Sequence, residues 1–141
     1  MKDALVDTIL EYLNTVSEAI SRLRRDIGES RLRLGPSGGN FPRNGTLSDN
    51  TTYSFHGIGC EVNLGHTTVD FDFGVDGRID GFDAWRLWLY MRQYPQYASK
   101  YPDENAVRAA LQQLIASGTI VESQHSGDHL LYLTQRKAIY L

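Results

Sequence analysis

Apolar residues recur at three- and four-residue steps through the first part of the chain: Leu5, Ile9, Leu13, Val16, Ile20, Leu23 and Ile27. That spacing predicts one amphipathic helix over residues 3–27, with Gly28 as its stop. Residues 1–34 are read as this helical segment and its end, and Arg22, Arg24 and Arg25 as a solvated helix terminus favoured by the helix dipole. From 35 to 52 the pattern disappears. Gly35, Pro36, Gly38, Gly39, Pro42 and Gly45 predict a flexible surface loop there. Between 53 and 81 the period becomes two. Tyr53 and Phe55 share a face, Gly57 and Gly59 mark a turn or bulge, and Cys60, Val62 and Leu64 oppose Glu61 and Asn63. Val69, Phe71, Phe73 and Val75 then line a buried face while Asp70 and Asp72 point away, the pattern of an antiparallel sheet with one wet, acidic face.

From 82 to 141 the pattern is helix, helix, hairpin. Asp83 is placed to cap a helix running to about Tyr94 and ended by Pro95. Its sequence, Ala84-Trp85-Arg86-Leu87-Trp88-Leu89-Tyr90-Met91, is apolar nearly all round, which predicts burial on several sides or cover by a partner. After a tyrosine-rich connection (Tyr94, Tyr97, Tyr101), Pro102-Asp103-Glu104 opens a second helix with Val107, Ala110, Leu111, Leu114 and Ile115 inward and Gly118 as its stop. Strands at 119–123 and 130–134 would form a hairpin. The expected fold is α+β in one domain: a long N-terminal helix, a small antiparallel sheet, and a C-terminal part resembling a winged helix.

Length agrees with one domain, since 141 residues bury enough surface to fold without covalent staples. The single cysteine, Cys60, excludes an internal disulfide. No stretch resembles a signal peptide or the roughly 20 apolar residues that span a bilayer, so a cytoplasmic protein without a membrane partner is expected. The formal charge is −3. Its distribution matters more. Residues 1–34 balance six basic against six acidic side chains, and residues 82–141 hold six against five. Residues 35–81 hold two against six, so the acidic excess lies in the middle of the chain. Such a distribution disfavours nucleic acid as a partner, which requires a concentrated basic face.

Several constellations invite a chemical reading. Residues 72–83 lay Asp72, Asp76, Asp80 and Asp83 on positions one, five, nine and twelve of a calcium loop, with Gly77 at six and Ile79 at eight. Gly74 at position three offers no ligand, and Asp83 at twelve is shorter than the usual glutamate. A turn at Asp76-Gly77 and a helix cap at Asp83 explain the same residues more simply, so no cofactor or metal is expected. As a winged-helix DNA reader the chain is also poor. The would-be recognition helix, 103–117, carries Arg108 as its one cation, and the tip from His125 to His129 carries no lysine or arginine. Cys60 and His56 could suggest a thiol nucleophile and base, but Cys60 falls among apolar neighbours. His125 and His129 lack further metal ligands beyond Asp128. No catalytic set is recognised, and an enzyme is not expected.

Tyr53-Ser54-Phe55-His56-Gly57-Ile58-Gly59-Cys60-Glu61-Val62, with Val69-Asp70-Phe71-Asp72-Phe73-Gly74 and Gly77-Arg78-Ile79-Asp80-Gly81-Phe82-Asp83-Ala84-Trp85-Arg86-Leu87, resembles a small family of uncharacterised bacterial domains. That family is associated with immunity proteins of polymorphic toxins, including those of the Rhs and type VI secretion kind. The resemblance covers roughly residues 50–135 and implies neutralisation of a cognate protein toxin by occlusion of its active site. Toxins acting on nucleic acid or nucleotides tend to have basic clefts. On that expectation Glu61, Asp70, Asp72, Asp76 and Asp80 supply complementary charge, and Arg86, Tyr90 and Tyr94 supply anchoring contacts.

Overall fold

A computed structural model describes residues 4–57, 59–72, 81–122 and 130–134. The N-terminal stripe folds as predicted: α1 spans Ala4–Ile27, and all seven stripe residues are buried, joined by Tyr12 and Ala19. Each large aliphatic side chain hidden this way is worth about 1.5–3 kcal/mol of transfer free energy, so packing of this stripe holds α1 in place. Gly28 interrupts the helix with φ 96°, a value that glycine adopts without strain. The chain then re-enters a helix, α2, Glu29–Gly39. A second break at Gly35 is followed by Pro36, which restarts the turn, and Asn40 ends it in the left-handed conformation.

The loop expected over 35–52 is therefore mostly structured. Its first part is helical, its centre holds strand β1, Asn44–Thr46, and its last turn is tied to α1. Asp26 accepts hydrogen bonds from the Ser48 backbone N–H at 2.6 Å and its hydroxyl at 2.9 Å. Arg22 donates to the Thr51 hydroxyl at 2.8 Å and pairs with Asp49 at 3.8 Å. Arg22 is thus a fastening rather than a solvated helix end.

Strands β2, Thr52–His56, β3, Gly59–Asn63, and β4, Thr68–Asp72, complete an antiparallel sheet in the order β1-β2-β3-β4. Its buried face presents Tyr53, Phe55, Cys60, Val62, Val69 and Phe71 to the core. The expected continuation through Phe73 and Val75 lies outside the described residues. Helix α3, Ala84–Met91, is capped by Asp83, whose carboxylate accepts from the Arg86 N–H at 2.7 Å. Pro95 does not simply end that helix. It occupies the first turn of a short α4, Pro95–Lys100, where a connection was expected. Helix α5, Glu104–Ala116, is capped by Asp103. Strands β5, Ile120–Glu122, and β6, Leu131–Leu133, pair antiparallel. Phe82 and Leu131 exchange backbone hydrogen bonds at 3.0 and 2.7 Å, fastening this hairpin to the entrance of α3.

The fold is α+β, with α1, α3 and α5 packed with the sheet about one core. One side-chain contact fixes α3 against β4. The Gln93 amide oxygen accepts from the Thr68 N–H at 2.8 Å, and its nitrogen donates to the Thr68 carbonyl at 2.7 Å. Among the described residues no helix is long and apolar enough to cross a membrane.

Candidate functional site around Arg86

Strand alternation and register decide which side chains meet. Ser54 pairs with Glu61 and Glu61 with Asp70, while His56 pairs with Gly59 and Gly59 with Asp72. All therefore share the face opposite the core. The first turn of α3 brings Arg86 over it. Arg86 Nε lies 3.0 Å from Asp70 Oδ1, its Nη2 lies 3.9 Å from Asp72 Oδ2, and its Nη1 donates to Asp83. On the far side of Asp70, His56 Nε2 stands 3.4 Å from Oδ2. Gly59 is the floor. A Cβ there would sit 3.2 Å from the His56 ring and 3.4 Å from Arg86 Nη2, tight contacts that the bare glycine avoids.

The cluster is largely sheltered. Side-chain exposure is 13% for Asp70, 12% for Asp72 and 20% for Arg86, against 52% for His56. Burial by itself would weaken the hold of Arg86 on its proton. Asp83, Asp70 and Asp72 outweigh that effect and raise its pKa above the ordinary value. The guanidinium is a permanent cation held by three carboxylates.

The expectation of a wet acidic face is thus only partly met. Asp70 and Asp72 do share a face, but α3 covers it, Asp72 is buried, and both carboxylates are engaged by Arg86 instead of standing free to steer a partner. Glu61 does remain exposed, at a shallow cavity of about 270 Å³ that Asp70, Arg92 and Gln93 also line. Asp76 and Asp80 lie outside the described residues. The tyrosines need a firmer correction. Tyr90 is 2% exposed and donates its hydroxyl to Glu11 of α1. Tyr94 packs between Tyr90, at a tilt, and Tyr97, edge to face, with centroids at 5.4 and 5.8 Å, and Tyr97 donates to the other oxygen of Glu11 at 2.7 Å. These rings form the seam between α1 and the α3–α4 segment, and Tyr90 is not available as an anchor for a partner.

Cys60 and His56 occupy opposite faces of the sheet, so they form no nucleophile–base pair. Cys60 is fully buried, and burial pushes its thiol pKa far up. In native buffer Cys60 is expected to be inert to Ellman's reagent and to react once urea unfolds the chain. Rapid labelling of the folded protein would contradict this placement. Residues 73–80 of the calcium-loop match lie outside the described residues, as do His125, Asp128 and His129. The two ends of that loop, Asp72 and Asp83, both pair with Arg86, and a cation there would have to displace it. Among the described residues no group of three His, Cys, Asp or Glu is placed to hold a metal ion. On α5, Arg108 pairs with Glu104 at 2.6 Å.

One feature was missed in the sequence. A groove of about 480 Å³ runs between α3, α5 and the hairpin, lined by Asp83, Trp85, Glu104, Leu111, Glu122 and Leu131 among others. Trp85 is 48% exposed at this groove. The signal was present in helical spacing: Ala84, Leu87 and Met91 define the buried stripe of α3, and Trp85 falls off it. Trp88 packs beside it, centroids 5.4 Å apart, and carries the Arg92 guanidinium 5.1 Å from its ring centre.

No curated protein and no solved structure matches the chain. The family described as a domain of unknown function (DUF6896) matches residues 5–133, nearly the whole length. The chain belongs to that family.

Proposed function

We propose that this chain is a cytoplasmic immunity protein that neutralises a cognate bacterial toxin by covering its active site, without catalysis of its own. The supporting observation is the charge balance at the Arg86 cluster. Asp70, Asp72 and Asp83 surround the Arg86 guanidinium, and exposed Glu61 lies beside Asp70 at a cavity that Arg92 also lines, so among these side chains four carboxylates face two guanidiniums. A surface of this kind suits a protein whose cleft is basic because its own substrate is anionic. The resemblance of residues 50–135 to a family of uncharacterised domains associated with immunity proteins supports the same reading.

The test is coexpression with the protein encoded beside it in the genome, read as copurification and as rescue from toxicity. Glu61 is the appropriate probe because it is exposed at the cluster and its side chain makes none of the hydrogen bonds or ion pairs described above. Glu61→Lys is expected to slow association by about tenfold and to flatten its dependence on salt, as a screened charge interaction requires. An unchanged association rate in this variant would remove the acidic face from the interface. Failure of the pair to copurify or to rescue growth would remove the neutralising role.

A further inference from the structure

The outward faces of the packed helices differ in kind. On α1 and α5 every exposed position is polar or alanine, as with Glu18 and Arg25 on the first and Arg108 and Gln112 on the second. Water asks this of a helix that packs on one side only. Helix α3 departs from it. Ala84, Leu87 and Met91 form its buried stripe, and the opposite arc holds Trp85, Trp88, Leu89 and, just past the last turn, Arg92. Trp85 is half exposed, Trp88 and Leu89 are half-buried, and the two indoles lie 5.4 Å apart.

The stripe ends on one charge of each sign. Leu89 and Arg92 line the shallow cavity that Glu61 also borders. Glu61 and Arg92 are both exposed, and among the described residues neither has an ion-pair partner. Arg92 rests over the Trp88 ring, and a guanidinium so placed still offers its in-plane N–H groups to a carboxylate. A basic protein would be drawn to Glu61 and repelled by Arg92. A second copy of this chain, turned about a two-fold axis, satisfies both at once, because Glu61 of each copy meets Arg92 of the other. Between those contacts the indoles supply the residue type that most often anchors protein interfaces.

We infer that the outward stripe of α3 is a dimer interface, covered by a second copy through Trp85, Trp88 and Leu89 with reciprocal Glu61–Arg92 pairs. The inference goes beyond the neutralising role and is tested without a toxin. The contact is small, so a Kd of about 10 µM is expected. At the far lower concentrations of an association assay the chain is then monomeric and Glu61 is open.

Sedimentation velocity of the full chain should show the mass rising from one chain to two across that concentration. Glu61→Arg and Arg92→Glu each set like charges opposite one another, so each alone should weaken the dimer by about tenfold or more. Mixed in equal amounts, the two variants should recover it, since both contacts then join opposite charges again. Trp85→Ser should weaken the dimer by about tenfold. All three variants should melt near the parent, because the altered side chains are exposed. A parent that stays monomeric well above the expected Kd would overturn the inference. A dimer that neither charge reversal weakens, or a mixture of folded variants that stays monomeric, would do the same. Should a charge variant melt well below the parent, Trp85→Ser decides: loss of the dimer supports the interface and an unaltered dimer overturns it.

Discussion

Arg86→Ala is expected to lower stability by about 3 kcal/mol, at the low end of the cost of breaking a buried ion pair because the site is not fully closed to water. For a chain of this length that is a fall in melting temperature of roughly 10 °C. The cost does not come from losing one attractive pair. It comes from the three carboxylates left behind: Asp70 and Asp72, little exposed on one face of β4, and Asp83 at the helix cap. Without the guanidinium they repel one another in a place where water compensates poorly. Arg86→Lys should be intermediate, since an ammonium restores the charge but not the fork that reaches several carboxylates at once. Thermal melts of the three proteins at neutral pH check the set. An alanine variant melting within about 2 °C of the parent at neutral pH would show that the cluster contributes little to folding.

Tyr12→Ala should cost more, about 4 kcal/mol, as large-to-small changes at fully buried aromatic positions do. Tyr12 is the junction between the core and the Arg86 cluster. Its ring is fully buried, packs edge-to-face on Tyr90 at 5.6 Å, and its hydroxyl donates to the Asp70 carbonyl at 2.5 Å. Tyr12→Phe separates the two roles. It keeps the ring and removes only the donor, so a loss of about 1 kcal/mol is expected. Burial pushes the Tyr12 phenol far above its ordinary pKa, so the hydroxyl is a protonated donor at neutral pH. Urea denaturation of both variants should leave the slope with denaturant unchanged and move only the midpoint. Equal losses in the two variants would show that the hydroxyl, not the volume, governs the site.

Features encoded by local periodicity were legible in the sequence. The seven-residue stripe of α1, the alternation of β3 and β4, and the caps Asp83 and Asp103 each depend on neighbours within a few positions. Helix α2 was not legible, because Gly35 and Pro36 read as loop. In the structure that pair is a break with proline opening the next turn. The site was half legible for a similar reason. Alternation placed Asp70 and Asp72 on one face, but it could not say what lies over that face. Arg86 reaches Asp70 from 16 residues away through the packing of α3 on β4, and no local pattern reports such an approach. Tyr90 misled for the opposite reason. A tyrosine in an aromatic-rich helix has the composition of an interface anchor, and only the position of Glu11 on a helix 79 residues away shows that its partner is internal.

The Gln93–Thr68 pair has a consequence beyond fixing α3. The outward N–H and C=O of Thr68 are met by one side-chain amide, and the outward carbonyl of Asp70 is met by the Tyr12 hydroxyl. Gln93 and Tyr12 therefore stand where a further strand would lie, and they occupy the groups that such a strand would need. The opposite border of the sheet is β1, only three residues long. A four-stranded sheet closed in this way offers a second molecule little to pair with, which guards a crowded cell against edge-to-edge aggregation. Tyr12→Phe should then do more than soften the core: by uncovering one carbonyl it would make the folded protein slightly more prone to self-association.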